Sequence, residues 1–193
     1  VAYYAVSVLF SLLALLLSYL FYFKKYGEDL LKVSGINRLS PIYIVVAVVV
    51  SAGMFLGFGV LNEKFAGFIA SIGGVLPTGG VSDVINSTGT FILFSIIIGI
   101  LPAIVEELFF RGMLLHGLRN AGRVVSVIFV AVCFALYHAS VVQFIYQLIY
   151  GGVLTLLTIK SKSIVPSIIA HFLNNFLVLV LSYFFKMQSA VSN

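Results

Sequence analysis

Six stretches of this chain, residues 2–23, 42–61, 90–110, 124–140, 141–159 and 164–185, are overwhelmingly apolar and about as long as the hydrocarbon core of a bilayer requires. In lipid every backbone N–H and C=O must be satisfied within the protein, so such segments are α-helices or the strands of a closed barrel. The two-residue alternation of a barrel strand is missing, which leaves helices. The predicted fold is all-α, a polytopic membrane helical bundle of about six transmembrane helices.

Charged residues make up only 9% of the 193 residues, against roughly a quarter in soluble domains, so no segment reads as a separate soluble domain. A single transmembrane domain over 1–193 is expected, with two N-terminal helices in 1–61, an irregular external loop at 62–89 and a helical core carrying the chemistry at 90–193. Gly73-Gly74, Pro77 and Gly79-Gly80 break the 62–89 stretch, with room for an interfacial helix near 65–72. Because the chain opens at Val1 and not at methionine, trimming and further upstream spans are expected. Residues 2–23 run directly into Lys24-Lys25, a stop-transfer pattern and not a cleavable signal.

The net charge of +5 does not point to nucleic acid, because the basic residues are scattered over loops and form no stripe with interleaved aromatics. They report topology instead. Lys24, Lys25, Lys32 and Arg38 share one loop, Arg111, Arg119 and Arg123 return to the same side, and Lys160 and Lys162 do so again. The positive-inside rule makes that side cytoplasmic, leaving Lys64 and Lys186 outside and both chain ends external. The lone Cys133 cannot form an internal disulfide and reads as packing.

Against this background the ionisable residues inside the apolar runs are costly, at least about 2.5–3.5 kcal/mol each near the bilayer centre. Glu107 and Arg111, Phe134 and His138, and His171 and Asn175 are each spaced to share one helix face. Glu107 and Arg111 are expected to form an intrahelical ion pair. Glu106 lies about 100° around the helix from Glu107 and is left without that partner, which makes it the better candidate for a general base. A helix running on from 90 to Arg119 would form a long hairpin about Ala121, placing Glu106 and His138 at similar depth. His171 and Asn175 fall in the same range when counted from Lys162. Two histidines, a spare glutamate and an asparagine at one depth supply the base, orienting groups and oxyanion donors for water attack. Phe134 is expected to wall the site, Pro102 to kink the helix or free a carbonyl, and His116 and Asn174 to serve loop or packing roles.

No HExxH, GxSxG or GxxxxGK[ST] occurs, which removes zincin, serine-hydrolase and P-loop readings. Asp29 and Asp83 lie in loops and make no intramembrane aspartyl dyad.

Glu106-Glu107-xxx-Arg111, Phe134-xxx-His138 and His171-xxx-Asn175, in that order on separate helices, resemble the CPBP family of CAAX proteases and bacteriocin-processing enzymes, also called the Abi family. The likeness covers about 90–185. It implies an intramembrane endopeptidase in which Glu106 activates water with help from His138, His171 and Asn175 stabilise the oxyanion, and Glu107, Arg111 and Phe134 are supporting. The family has also been described as metal-dependent, which would make Glu106, His138 and His171 zinc ligands; a cofactor-free mechanism is favoured, with zinc the alternative. Expected partners are the lipid bilayer and a membrane-associated peptide or protein substrate, with the site inside a bacterial plasma membrane and reached from the cytoplasmic side. The competing readings are a non-catalytic membrane peptide-binding or immunity protein and a small carrier; the latter lacks inverted repeats and paired broken helices.

Overall fold

The computed structural model describes residues 2–36, 39–76 and 81–191. Arg38 of the basic loop and the Pro77 and Gly79-Gly80 breaks lie outside the described residues. Every regular element among those described is helical, so the chain is the all-α membrane bundle its sequence predicts.

Helix α1 spans Ala2–Tyr26 and is followed by the short α2, Leu30–Ser34. Asp29 starts α2 by accepting hydrogen bonds from the N–H groups of Leu31 (2.9 Å) and Lys32 (3.2 Å), a standard N-cap. Helix α3, Pro41–Ser71, has proline in its first turn, where a missing N–H costs nothing. It continues past the expected end at residue 61 and stops before Gly73-Gly74, so the irregular stretch begins about ten residues later than its composition indicates. After the four-residue α4, Val81–Val84, α5 runs over Thr88–Gly117, opened by a reciprocal capping box between Ser87 and Thr90. Helices α6 (Arg123–Tyr137), α7 (Phe144–Ser161) and α8 (Val165–Val191) complete the bundle.

Among the described residues, five helices are long and apolar enough to cross a membrane: α1, α3, α5, α7 and α8. The run at 124–140 does not give a sixth span of full length. Its helix has 15 residues, about 22 Å at 1.5 Å per residue against a core of about 30 Å. The apolar run is longer than the helix because residues 138–143 turn, with Ala139 at a positive φ of 48°. Outward faces carry exposed Phe10, Phe21, Val49, Leu56, Ile92 and Phe129, as lipid-facing surfaces do.

The core gathers around Phe110, Phe134, Tyr150 and Leu154, each 2% exposed or less. Helices α6 and α7 make the most extensive pairing. Gly151 permits it, since a Cβ there would stand 3.0 Å from Phe134 Cδ1 and 3.2 Å from Ala131 Cα. Helix α8 is held to α3 by the buried Ser51 hydroxyl, which donates to the Ala170 carbonyl at 2.8 Å.

Candidate functional site

Glu106, His138, His171 and Asn175 line a single cavity of about 490 Å³. Helix α5 does run on as one element to Gly117, so the long hairpin with α6 forms and the depths agree. Glu107, Arg111 and Phe134 sit behind the cavity wall, each almost fully buried.

The ion pair expected from spacing is present: Arg111 Nη1 donates to Glu107 Oε1 at 2.7 Å, both side chains fully buried. Arg111 Nη2 donates to the Gly151 carbonyl at 2.9 Å, and its guanidinium carbon stands 4.5 Å from the centroid of the Phe134 ring. Arg111 thus ties α5 to α6 and α7. The same Glu107 oxygen lies 2.9 Å from His171 Nδ1. A carboxylate already paired with arginine accepts, so Nδ1 carries the hydrogen and Nε2 turns to Glu106, 3.9 Å from its Oε2. That separation is too long for a direct hydrogen bond. Among the described residues Glu106 Oε2 is buried without a hydrogen-bond partner, as is the second oxygen of Glu107, but Glu106 has no arginine of its own.

His138 caps the end of α6. Its Nδ1 is 2.8 Å from the Phe134 carbonyl, which can only accept, so Nδ1 donates and Nε2 is the ring's accepting nitrogen. Phe134 packs its ring 4.7 Å from that of His138 and 5.7 Å from that of His171, centroid to centroid, and keeps the two imidazoles at a fixed spacing.

Pro102 accounts for Asn175. In a regular helix the carbonyl of Ile98 accepts from residue 102, but proline has no N–H. Asn175 Nδ2 fills that place, donating to Ile98 O at 3.1 Å. One amide hydrogen is spent on that carbonyl and the other remains. The backbone just before Pro102 is π-helical over Ser95–Ile100, and a second π-helical turn, Leu108–Leu114, follows Glu107, the local irregularity that frequently accompanies functional sites in helices.

Sequence reasoning missed the rest of the lining. Asn62, Gln143, Gln147 and Asn174 join Asn175, so the cavity presents side-chain carboxamides and, among the described residues, no lysine or arginine. Asn174, assigned to packing from its spacing, accepts a hydrogen bond from Tyr146 at 2.6 Å through Oδ1. Its neighbour in sequence was chosen by i,i+4 spacing, and nothing in the sequence alone distinguishes a second inward asparagine.

Counting along each helix sets the depth of the cavity's floor and rim. Its floor, Glu106 and His171, is about 14–17 Å in from the ends that carry the basic loops, whereas Gln143 and Asn62 lie about 27–32 Å from those ends. Glu106 and His171 are buried and Gln143 is exposed. The more exposed rim of the cavity at Gln143 thus lies at the end away from the basic loops. The hairpin count fixes depth but not which end of the bundle is open.

The proposed zinc ligands can be tested against this geometry. Among the described residues, no three His, Cys, Asp or Glu side chains are placed to hold a metal ion. Glu106, His138 and His171 line the same cavity but do not form such a group.

Fold and cavity together define a class, helical membrane proteins that bury a glutamate–histidine–asparagine cluster in an amide-lined chamber. Residues 88–177 match the family model of Rce1-like proteins, described as type II CAAX prenyl endopeptidase Rce1-like, in agreement with the CPBP likeness of the three motifs. The matched segment begins with α5 and ends two residues beyond Asn175, so it holds every motif residue. No curated protein and no solved structure matches the chain.

Proposed function

We propose that the protein is an intramembrane endopeptidase that hydrolyses peptide bonds of membrane-associated peptides or proteins, with Glu106 as general base. The observation that carries this reading is the buried Glu106 Oε2, without a hydrogen-bond partner among the described residues, at the floor of a cavity whose other polar lining is two imidazoles, five carboxamides and the Tyr146 hydroxyl. Each carboxamide offers both donor and acceptor, which suits an extended peptide backbone, and the lack of cationic lining leaves Glu106 free to act as a base.

In the proposed reaction Glu106 takes one proton from water while His138 Nε2 accepts a hydrogen bond from the O–H that the water keeps. The water oxygen attacks the scissile carbonyl carbon and its π electrons move to the carbonyl oxygen. Asn175 is held by Ile98 O with one N–H to spare, and that N–H faces the developing oxyanion, with the Asn174 amide beside it. His171, oriented through Glu107, donates to the oxyanion only when Nε2 is protonated, so its part is linked to the proton that Glu106 has taken. Collapse of the intermediate breaks the C–N bond and returns that proton to the leaving amine. The ion pair Glu107–Arg111 and the Phe134 ring keep these groups in register.

With the basic end cytoplasmic under the positive-inside rule, the mouth faces the other side of the membrane, and substrates enter there or laterally from lipid.

The test is cleavage of a membrane peptide by purified protein, comparing wild type with Glu106→Gln and His138→Ala. Loss of a single general base lowers turnover by about 10²–10⁴-fold. Wild-type cleavage by both variants overturns the assignment. Peptide binding by wild type without cleavage favours a binding or immunity protein, and activity lost on chelation and restored by zinc overturns the metal-free mechanism.

A further inference from the structure

We propose that a second cavity, at the basic end of the bundle, binds a phosphate-type anion supplied by the headgroup of an acidic membrane lipid. It measures about 250 Å³, and Lys32, Lys162, His116 and Arg111 stand around it with Ser34 and Ser163. Among the described residues no carboxylate lines it.

The cavity is a built feature and not a chance cluster of side chains. Helix α2 docks onto the α7–α8 turn through the Ile164 N–H, which donates to the Ser34 carbonyl at 3.0 Å. Gly35 makes the approach close: at φ +62° its backbone lies against Lys162, and a Cβ there would fall 2.1 Å from the Lys162 carbonyl oxygen. Lys162 itself holds a left-handed conformation at φ 56°, so the turn fixes where its side chain departs. The Asp29 cap fixes Lys32 in the same way from the other side.

The charges in the cavity are not already balanced. Among the described residues neither Lys32 nor Lys162 forms an ion pair; the nearby acid, Glu28, is engaged by His116 at 3.3 Å and Arg119 at 4.0 Å. Arg111 contributes a buried side chain whose Nε has no hydrogen-bond partner, although its two terminal nitrogens are occupied by Glu107 and Gly151. Two free ammonium groups with a serine-lined wall and an unpaired guanidinium N–H are the donor set that a phosphate oxygen cluster satisfies.

Location selects the lipid source. The cavity lies where α1 ends, α5 ends and α7 turns into α8, the level of the headgroups, and Leu115, Val33 and Ile159 supply an apolar side for the glycerol end of a lipid. Basic pockets between membrane helices on the cytoplasmic face commonly take anionic headgroups. The inference does not depend on the peptidase reading, although Arg111 links this cavity to Glu107 and through it to His171.

The experiment measures lipid retention by native mass spectrometry and thermal unfolding of the purified protein. Phosphatidylcholine is compared with phosphatidylglycerol and with inorganic phosphate, for wild type, Lys32→Gln/Lys162→Gln, and Lys24→Gln/Lys25→Gln as a control on the same end outside the cavity. Retention of one phosphatidylglycerol with a raised unfolding temperature is expected for wild type and the control, with affinity reduced about tenfold or more in the cavity variant, the weight of one or two charge-assisted contacts. Equal binding by the cavity variant, equal loss in the control, or no preference over phosphatidylcholine would overturn the proposal. A variant-sensitive shift produced by inorganic phosphate alone overturns the lipid as the source.

Discussion

Replacing Arg111 with methionine removes the charge that makes Glu107 tolerable, and the structure gives the size of the effect. Glu107 and Arg111 are both fully buried and meet at 2.7 Å, so the single variant strands a carboxylate whose remaining partner is His171 Nδ1 at 2.9 Å. Breaking a buried pair from one side costs about 3–5 kcal/mol, a large part of the roughly 5–15 kcal/mol that holds a typical fold together. The Gly151 carbonyl adds little to this, because Thr155 still donates to it at 2.7 Å. Glu107→Leu alone strands the guanidinium and costs a similar amount. In Glu107→Leu/Arg111→Met both charges are gone, and the main residual is one buried imidazole N–H without an acceptor, about 1–3 kcal/mol. The double variant is therefore expected to be more stable than either single one, with a coupling energy of about 3 kcal/mol or more in a double-mutant cycle, read from reversible unfolding in mixed micelles. Cleavage is not expected to recover with stability, since His171 has lost the carboxylate that orients it. Additive effects, with coupling under about 1 kcal/mol, would refute the premise that these charges are shielded from water.

Asn175→Leu leaves the Ile98 carbonyl bare and is expected to cost about 1–3 kcal/mol, whereas Pro102→Ala/Asn175→Leu, which restores an N–H at residue 102, costs less; equal destabilisation in thermal melts would rule out the capping role. A cysteine placed by Gln143→Cys in a Cys133→Ala background is expected to react with a membrane-impermeant maleimide from the side opposite one placed by Lys162→Cys, and labelling of both from the same side would contradict the opening deduced for the cavity.

Much of this site is legible in the sequence because lipid penalises unpaired polarity so heavily. The pairing of Glu107 with Arg111, the isolation of Glu106 and the freed carbonyl below Pro102 each follow from spacing and from what a low-dielectric medium allows. What is not legible depends on which way a side chain turns once helices pack. Asn174 and Asn175 differ by one position, yet one reaches Tyr146 and the other the Ile98 carbonyl. Gln143, Gln147 and Asn62 carry no spacing signal, and they become rim residues only because α6 stops at Tyr137 and α3 continues beyond residue 61.

The brevity of α6 also has a consequence for the lipid around it. A helix about 8 Å shorter than the hydrocarbon layer obliges the adjoining leaflet to thin or to admit water beside His138, at a cost that grows with each ångström of mismatch. A thicker bilayer raises that cost and a thinner one relieves it. Under the proposed peptidase reading, water supply beside His138 would be coupled to membrane thickness, and lipid chain length would act on cleavage without touching any residue of the site.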